Sequence, residues 1–239
     1  MNSDAFAYEG AELEHFALAL NWKRYVKARL APFLAGQVVE VGAGLGETAR
    51  TLRPGLDLES WLCIEPDPAM AAQIGALAAS GALGEGVSVL AGTLREMPAE
   101  ARADTVIYVD VLEHIEHDAA ELRAAAELLR PGGRLVVLAP AYNYLFSPFD
   151  KAVGHYRRYT KTMLRAILPA GLSEEAAFYM DSVGLMASLA NKLLLKQSLP
   201  SADQVKVWDR LMVPVSRLID PLLGHSCGRS VVLVWRKPG

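Results

Sequence analysis

The stretch that decides the fold is Val38-Val39-Glu40-Val41-Gly42-Ala43-Gly44-Leu45-Gly46-Glu47-Thr48. Gln37 to Val41 is a short β-branched run, which reads as a buried strand, and Thr48 to Leu52 opens a helix. Glycines between a strand and a helix let the backbone turn tightly and let a ligand approach main-chain N–H groups. The dinucleotide fingerprint G-x-G-x-x-G would need glycine at position 47, where Glu47 stands; the third glycine comes one residue early. An acid, Glu40, precedes the first glycine by two. That charge repels a pyrophosphate and suits a cation.

Working outward, Trp61 to Glu65 is a second strand, stopped by Pro66 and Pro68, and an alanine-rich helix covers about 69–79. Glu65 lies 19 residues beyond Gly46, at a strand end, where a carboxylate accepts the hydroxyls of a ribose. Further strands are read at Val87 to Leu90, Asp104 to Val109 and Arg134 to Leu138. A long helix, about 117–129, is read as ending at Pro131-Gly132-Gly133. Strands alternating with helices at this spacing imply a parallel sheet covered on both faces. Upstream, 11–35 reads as one or two helices, with Leu13, Phe16, Leu20, Tyr25 and Leu30 apolar. Downstream, a loop runs to Tyr159, a helix covers 161–168, and strands six and seven lie in 175–181 and Ser230 to Trp235.

Composition narrows the function classes. The 239 residues carry a formal charge of −3, and no Lys/Arg run is longer than two, so no nucleic-acid partner is expected. With 52% hydrophobic and 21% charged residues the chain is not disordered. Two cysteines, Cys63 and Cys227, exclude a disulfide framework and point to a reducing cytoplasm. The first sixteen residues lack the pattern of a signal peptide, and no apolar stretch approaches the roughly 18–20 residues that span a bilayer.

The chain resembles the class I S-adenosylmethionine-dependent methyltransferases. The resemblance rests on VVEVGAGLGET (38–48), CIEPD (63–67), YVDVLEHIEHD (108–118) and LLRPGGRLVVLAP (128–140), in that order, and covers roughly residues 20–140. More narrowly, DKAVGHYRRYT (150–160) looks like a bacterial group of these enzymes with a D-x3-GHYRRYT motif. The resemblance implies a Rossmann-like α/β sheet of seven strands with N-terminal helices and a helical insertion between the last two strands. It implies S-adenosylmethionine as cofactor. Gly42 and Gly44 would line its methionine portion, Glu40 would help hold the ammonium, and Glu65 would take the ribose hydroxyls. Pro66 follows Glu65, Thr93 and Leu94 would border adenine, and Asp110 and Val111 would lie beside the sulfonium.

The densest polar-aromatic cluster follows strand five, so it shares the sheet edge with the glycine loop. There Asp150 is expected to orient the imidazole of His155, which accepts a proton from a substrate hydroxyl or amine. Arg157 and Arg158 are candidates to grip an anionic acceptor, with Tyr159 beside them. The competing reading has one arginine pairing with Asp150 or Glu113 and the other in solvent. His114 is either an acceptor contact or a buried structural imidazole. Thr160 is placed to cap the helix that follows. No metal is expected.

The late helices repeat apolar residues at helical spacing, as in Val205, Trp208, Leu211 and Val215. Leu185, Leu189, Leu193 and Leu194, beside Lys192 and Lys196, read first as core; a membrane-surface helix and a dimer face are the alternatives. With Trp22 and Tyr25 this segment is expected to roof an acceptor pocket. One domain over 1–239 results: an N-terminal cap (1–35), a cofactor core (36–140), an acceptor-side segment (141–183), a helical insertion (184–224) and the last strand (225–239). The expected activity is methyl transfer to a small molecule, at oxygen. Nitrogen or carbon methylation, a non-catalytic S-adenosylmethionine-binding partner and a nicotinamide-dependent enzyme are the alternatives, the last disfavoured by Glu47.

Overall fold

In the computed structural model, residues 18–192 and 202–239 are described. Seven strands form one sheet: β1 (Gly36–Val41), β2 (Leu58–Glu65), β3 (Val87–Ala91), β4 (Ala103–Val109), β5 (Leu129–Pro140), β6 (Ser173–Met180) and β7 (Ser230–Arg236). Their spatial order is β3-β2-β1-β4-β5-β7-β6. β1 to β5 are parallel, and β7 runs antiparallel to both β5 and β6. The chain winds outward from β1 to β3, then returns to place β4 on the other flank of β1. Ligands bind at such a switch point, beyond the C-terminal strand ends.

Successive strand residues face opposite layers. In β4, Val106 and Tyr108 pack in one core and Ile107 in the other; in β5, Leu135 and Val137 oppose Val136 and Leu138. Helices α2 (Glu47–Leu52), α3 (Pro68–Ala79) and α4 (Asp118–Leu128) follow β1, β2 and β4. The first described helix, α1 (Leu20–Leu30), accounts for the described part of the N-terminal helical reading.

Several boundaries differ from those the sequence implies. Pro131-Gly132-Gly133 is not a helix stop. α4 ends at Leu128, and β5 starts at Leu129 and runs through the glycines. Gly132, at φ +81°, donates its N–H to Lys237, and the β4 register shifts between Ala103 and Thr105 to accommodate the bulge. The expected loop after β5 contains a short helix, α5 (Pro148–Ala152), and the next helix, α6 (Lys161–Ala166), is shorter than expected. Thr160 caps α6 through the Met163 N–H at 3.2 Å.

Between β6 and β7 lie α7 (Ser182–Ala190) and α8 (Ala202–Val207), which runs through a π turn at Trp208–Met212 into α9 (Val213–Leu222). α1 packs against this segment: Asp209 accepts from the backbone N–H groups of Asn21 and Trp22 at 3.2 and 2.8 Å. Leu13, Phe16, Leu193, Leu194 and Lys196 lie outside the described residues. Among the described residues, no helix is long and apolar enough to cross a membrane.

Candidate functional site

A cavity of about 290 Å³ opens at the switch point, between the glycine loop and the segments that follow β4 and β5. Gly42 and Gly44 form one wall, at φ +69° and +57°. The loop is held close to the turn after β4: a Cβ on Gly42 would sit 2.6 Å from Val111 Cγ1. Only glycine meets both the left-handed backbone and that approach. Asp110, itself at φ +53°, lines the cavity across from the loop. Trp22 and Trp208 roof it, with ring centroids 5.6 Å apart.

Two carboxylates lie beneath and beside the loop. Glu40, buried at 1% exposure, accepts from Trp61 Nε1 at 2.7 Å and lies 3.6 Å from Cys63 Sγ. Burial pushes its carboxyl up to about 7, and the nearby Glu65 charge adds to that, against the hydrogen bonds from Trp61, Thr48 and Cys63. Glu65 Oε2 accepts from the Gly44 N–H at 2.7 Å and Oε1 from the Asp67 N–H at 2.9 Å. Burial raises Glu65 as well, opposed by those two backbone bonds. Glu40 and Glu65 thus set two buried acids against the glycine loop from behind the cavity wall, an arrangement that a cationic ligand at the loop would relieve and a pyrophosphate would aggravate.

On the opposite wall, Asp150 organises a polar cluster. It is fully buried, with Oδ1 2.9 Å from His155 Nδ1, and it receives Arg158 Nε and Nη2 at 2.8 and 3.0 Å. Burial opposes its charge, yet the bonds from His155, Arg158 and Ser147 hold the carboxyl well below its usual range. An imidazole whose Nδ1 is fixed on a carboxylate presents Nε2 as a proton acceptor. His155, Arg158 and His114 all line the cavity. The His114 and His155 rings meet edge to face, with centroids 4.5 Å apart. Burial, then the neighbouring His155, depresses His114 to about 4.

Other expected site residues are not brought to this cavity. Arg157 pairs with Asp118 at 2.5 Å and donates to the Glu116 carbonyl at 2.8 Å. The Tyr159 hydroxyl donates to the same Asp118 at 2.8 Å and is buried beneath Leu112. The buried carboxylate at the start of α4 therefore takes both groups, so they brace the loop instead of facing an acceptor. The Tyr25 hydroxyl turns to Asp220 at 2.7 Å, inside the α1–α9 contact. Glu65, Pro66, Thr93 and Leu94 lie along the same sheet edge, outside this cavity's wall. Thr93 caps the turn Leu94–Glu96 through Arg95 N–H and Glu96.

Sequence reasoning missed Arg229 and Glu113. Arg229 lines the cavity with its guanidinium 5.0 Å over the Trp208 ring. Its one sequence signal is position: it precedes an antiparallel last strand, which starts at the ligand edge. Glu113 is 1% exposed, and its Oε2 has no hydrogen-bond partner. Burial and the Asp110 charge raise its carboxyl well above the usual range.

Residues 39–137 match the family model described as "Methyltransferase domain". An uncharacterized methyltransferase of Mycobacterium tuberculosis (strain ATCC 25618 / H37Rv) is 32% identical over 130 residues, which are 54% of this chain and 47% of the relative. The chain thus spans about half the length of the curated relatives it matches. Among solved structures, a chain of the Haloferax volcanii complex of the Trm112 methyltransferase activator with a methyltransferase superposes with a TM-score of 0.63. It is 18% identical and covers 97% of this chain and 93% of that one. Haemonchus contortus phosphoethanolamine N-methyltransferase 2, solved with phosphomonomethylethanolamine and S-adenosylhomocysteine, gives 0.61 at 15% identity, covering 96% and 58%. Residues 39–137 are thus similar to a methyltransferase domain, and the seven-stranded sheet has the Rossmann-like fold of the class I methyltransferase structures.

Proposed function

We propose that this chain transfers a methyl group from S-adenosylmethionine to an oxygen of a small-molecule acceptor. One observation carries the reading: the Gly42–Gly46 loop, set between buried Glu40 and Glu65, opens on a cavity whose far wall presents His155. These two acids behind the loop fit a cofactor that bears ammonium and sulfonium charges. Gly42 and Gly44 would hold its methionine portion, Glu65 and Pro66 the ribose side, Thr93 and Leu94 the adenine side, with Asp110 and Val111 near the sulfonium. When bound, the cofactor supplies an electrophilic methyl group.

The chain's own residues do the remainder. Trp22 and Trp208 close the roof, which limits water and holds two reactants at short range. His155 Nε2 accepts the acceptor's hydroxyl proton, and Asp150 positions the ring from behind. Arg229 binds an anionic group on the acceptor, a role for which Arg158 is less free because it forms a bidentate pair with Asp150. An amine acceptor is the second reading, favoured by the Asp110 carboxylate in the same wall. Two free thiols, Cys63 and Cys227, suit a reducing cytoplasm.

The test is calorimetric titration with S-adenosylhomocysteine, followed by incubation with a methyl-labelled donor and fractionated small-molecule extract. Saturable binding and label in one acceptor fraction support the reading. Binding without transfer to any fraction would make the protein a non-catalytic cofactor-binding partner.

A further inference from the structure

Glu113, His114 and His155 converge on one point of the cavity wall, each offering one ligand atom, and the three atoms lie within 4.8 Å of one another. We propose that this cluster is a binding site for a divalent transition-metal ion of the zinc type, held by two imidazoles and one carboxylate. The site was not expected from the sequence, because its ligands come from the turn after β4 and from the segment after α5.

Three observations carry the proposal. The first is an orphan: Glu113 Oε2 is buried without a hydrogen-bond partner, an expense that folded proteins avoid unless the group has another use. Its other oxygen, Oε1, lies 3.9 Å from His155 Nε2. The second is the outer support of both rings. His155 Nδ1 is engaged by the Asp150 carboxylate at 2.9 Å, and His114 is hydrogen-bonded to the backbone of Val153. A metal-binding imidazole almost always gives its other nitrogen to a carboxylate or a carbonyl, which fixes the tautomer and aims the free lone pair. The third is access. All three residues line the open cavity, so a coordination position remains for water or an acceptor oxygen.

Two imidazoles and one carboxylate select zinc-like first-row ions over magnesium, which favours oxygen ligands. Tetrahedral bonds of about 2.1 Å bring ligand atoms to about 3.4 Å apart, so separations of up to 4.8 Å must close by up to about 1.4 Å on binding. The neighbouring charges are mixed: Asp110 and Asp150 add negative potential, and Arg158 and Arg229 oppose it. Metal binding and proton acceptance both use His155 Nε2, so the bare and metal-loaded clusters are alternative states. Cation binding itself does not depend on the methyl-transfer reading.

The experiment takes the tag-free, chelator-stripped protein and titrates it with Co²⁺ by absorption spectroscopy and with Zn²⁺ by calorimetry. We expect one equivalent of each, with Co²⁺ giving the intense visible bands of a low-coordinate site. Glu113→Gln and His114→Ala should each weaken binding by at least tenfold. Glu113→Gln preserves shape and removes a buried charge, and its melting temperature checks that it folds. S-adenosylhomocysteine affinity, measured on the same samples, tests the cofactor reading separately. The proposal is overturned by the absence of saturable binding, or by one-equivalent binding that both variants retain.

Discussion

Glu65 Oε2 accepts the Gly44 N–H at 2.7 Å, so the acid at the end of β2 is an anchor of the glycine loop at the end of β1. Its second oxygen takes the Asp67 N–H, which orders the start of α3. Each carboxylate oxygen keeps a further lone pair for a ribose hydroxyl. One side chain therefore shapes the loop and, in the proposed reading, also takes the ribose.

Glu65→Ala should weaken S-adenosylhomocysteine binding about ten- to a hundredfold, the equivalent of roughly 1.5–3 kcal/mol for a charge-assisted hydrogen bond. Hydrogen exchange at the Gly44 amide should quicken in the same variant. Calorimetry and exchange mass spectrometry read the two effects. An unchanged dissociation constant would assign the ribose to another partner.

Glu40 gives a pH dependence with a definite sign. An unfolded carboxyl ionises near its ordinary 4.5, while burial keeps the folded one protonated up to about 7. Between those values the native state binds more protons, so this group's contribution to stability falls as pH rises and is flat on either side. The loss across the window is about 3 kcal/mol. Glu40→Gln should remove it, so urea unfolding would show the variant gaining on the parent from pH 4.5 to 7. Parallel curves over that range would refute the assignment. A bound ammonium draws the carboxyl down, so binding near pH 6 should release a proton, seen as calorimetric heats that vary with buffer.

If His155 is the base proposed above, His155→Ala should lower turnover by roughly 10²–10⁴-fold with little effect on S-adenosylhomocysteine affinity. Asp150→Asn acts through His155 and also frees Arg158, so it should lower both turnover and melting temperature. A His155 variant that keeps full turnover while its melting temperature falls would mark the ring as structural.

The parallel half of the sheet was legible because its β-branched runs are buried on both faces, and because turn residues separate them cleanly. Val38 to Val41 and Asp104 to Val109 pair where their patterns imply. Pro131-Gly132-Gly133 misled because a β-bulge uses the same residues as a helix stop, and only pairing with the C-terminal strand distinguishes them. In the site, the glycine loop and the Asp150–His155 pair were readable from short-range spacing. The partners of Arg157 and Tyr159 were not, since Asp118 lies some forty positions away. Glu113 stood inside a quoted motif, but its missing partner exists only in three dimensions.

The two arginines that differ most from expectation make opposite predictions. Arg229 faces the cavity over Trp208, whereas Arg157 is spent on Asp118 and the Glu116 carbonyl. If the acceptor carries a carboxylate or phosphate, Arg229→Gln should raise its Michaelis constant about ten- to a hundredfold and change turnover much less. Arg229→Lys should recover part of the loss, since the charge remains but the planar two-pronged geometry does not. Arg157→Ala should leave both kinetic constants within about twofold. Its partly exposed pairing is worth little by itself, on the order of 1 kcal/mol or less, so the melting temperature should drop by only a few degrees. The reverse pattern, with Arg157 controlling the Michaelis constant and Arg229 only stability, would move the acceptor from the cavity to the outer face of the loop that follows β4.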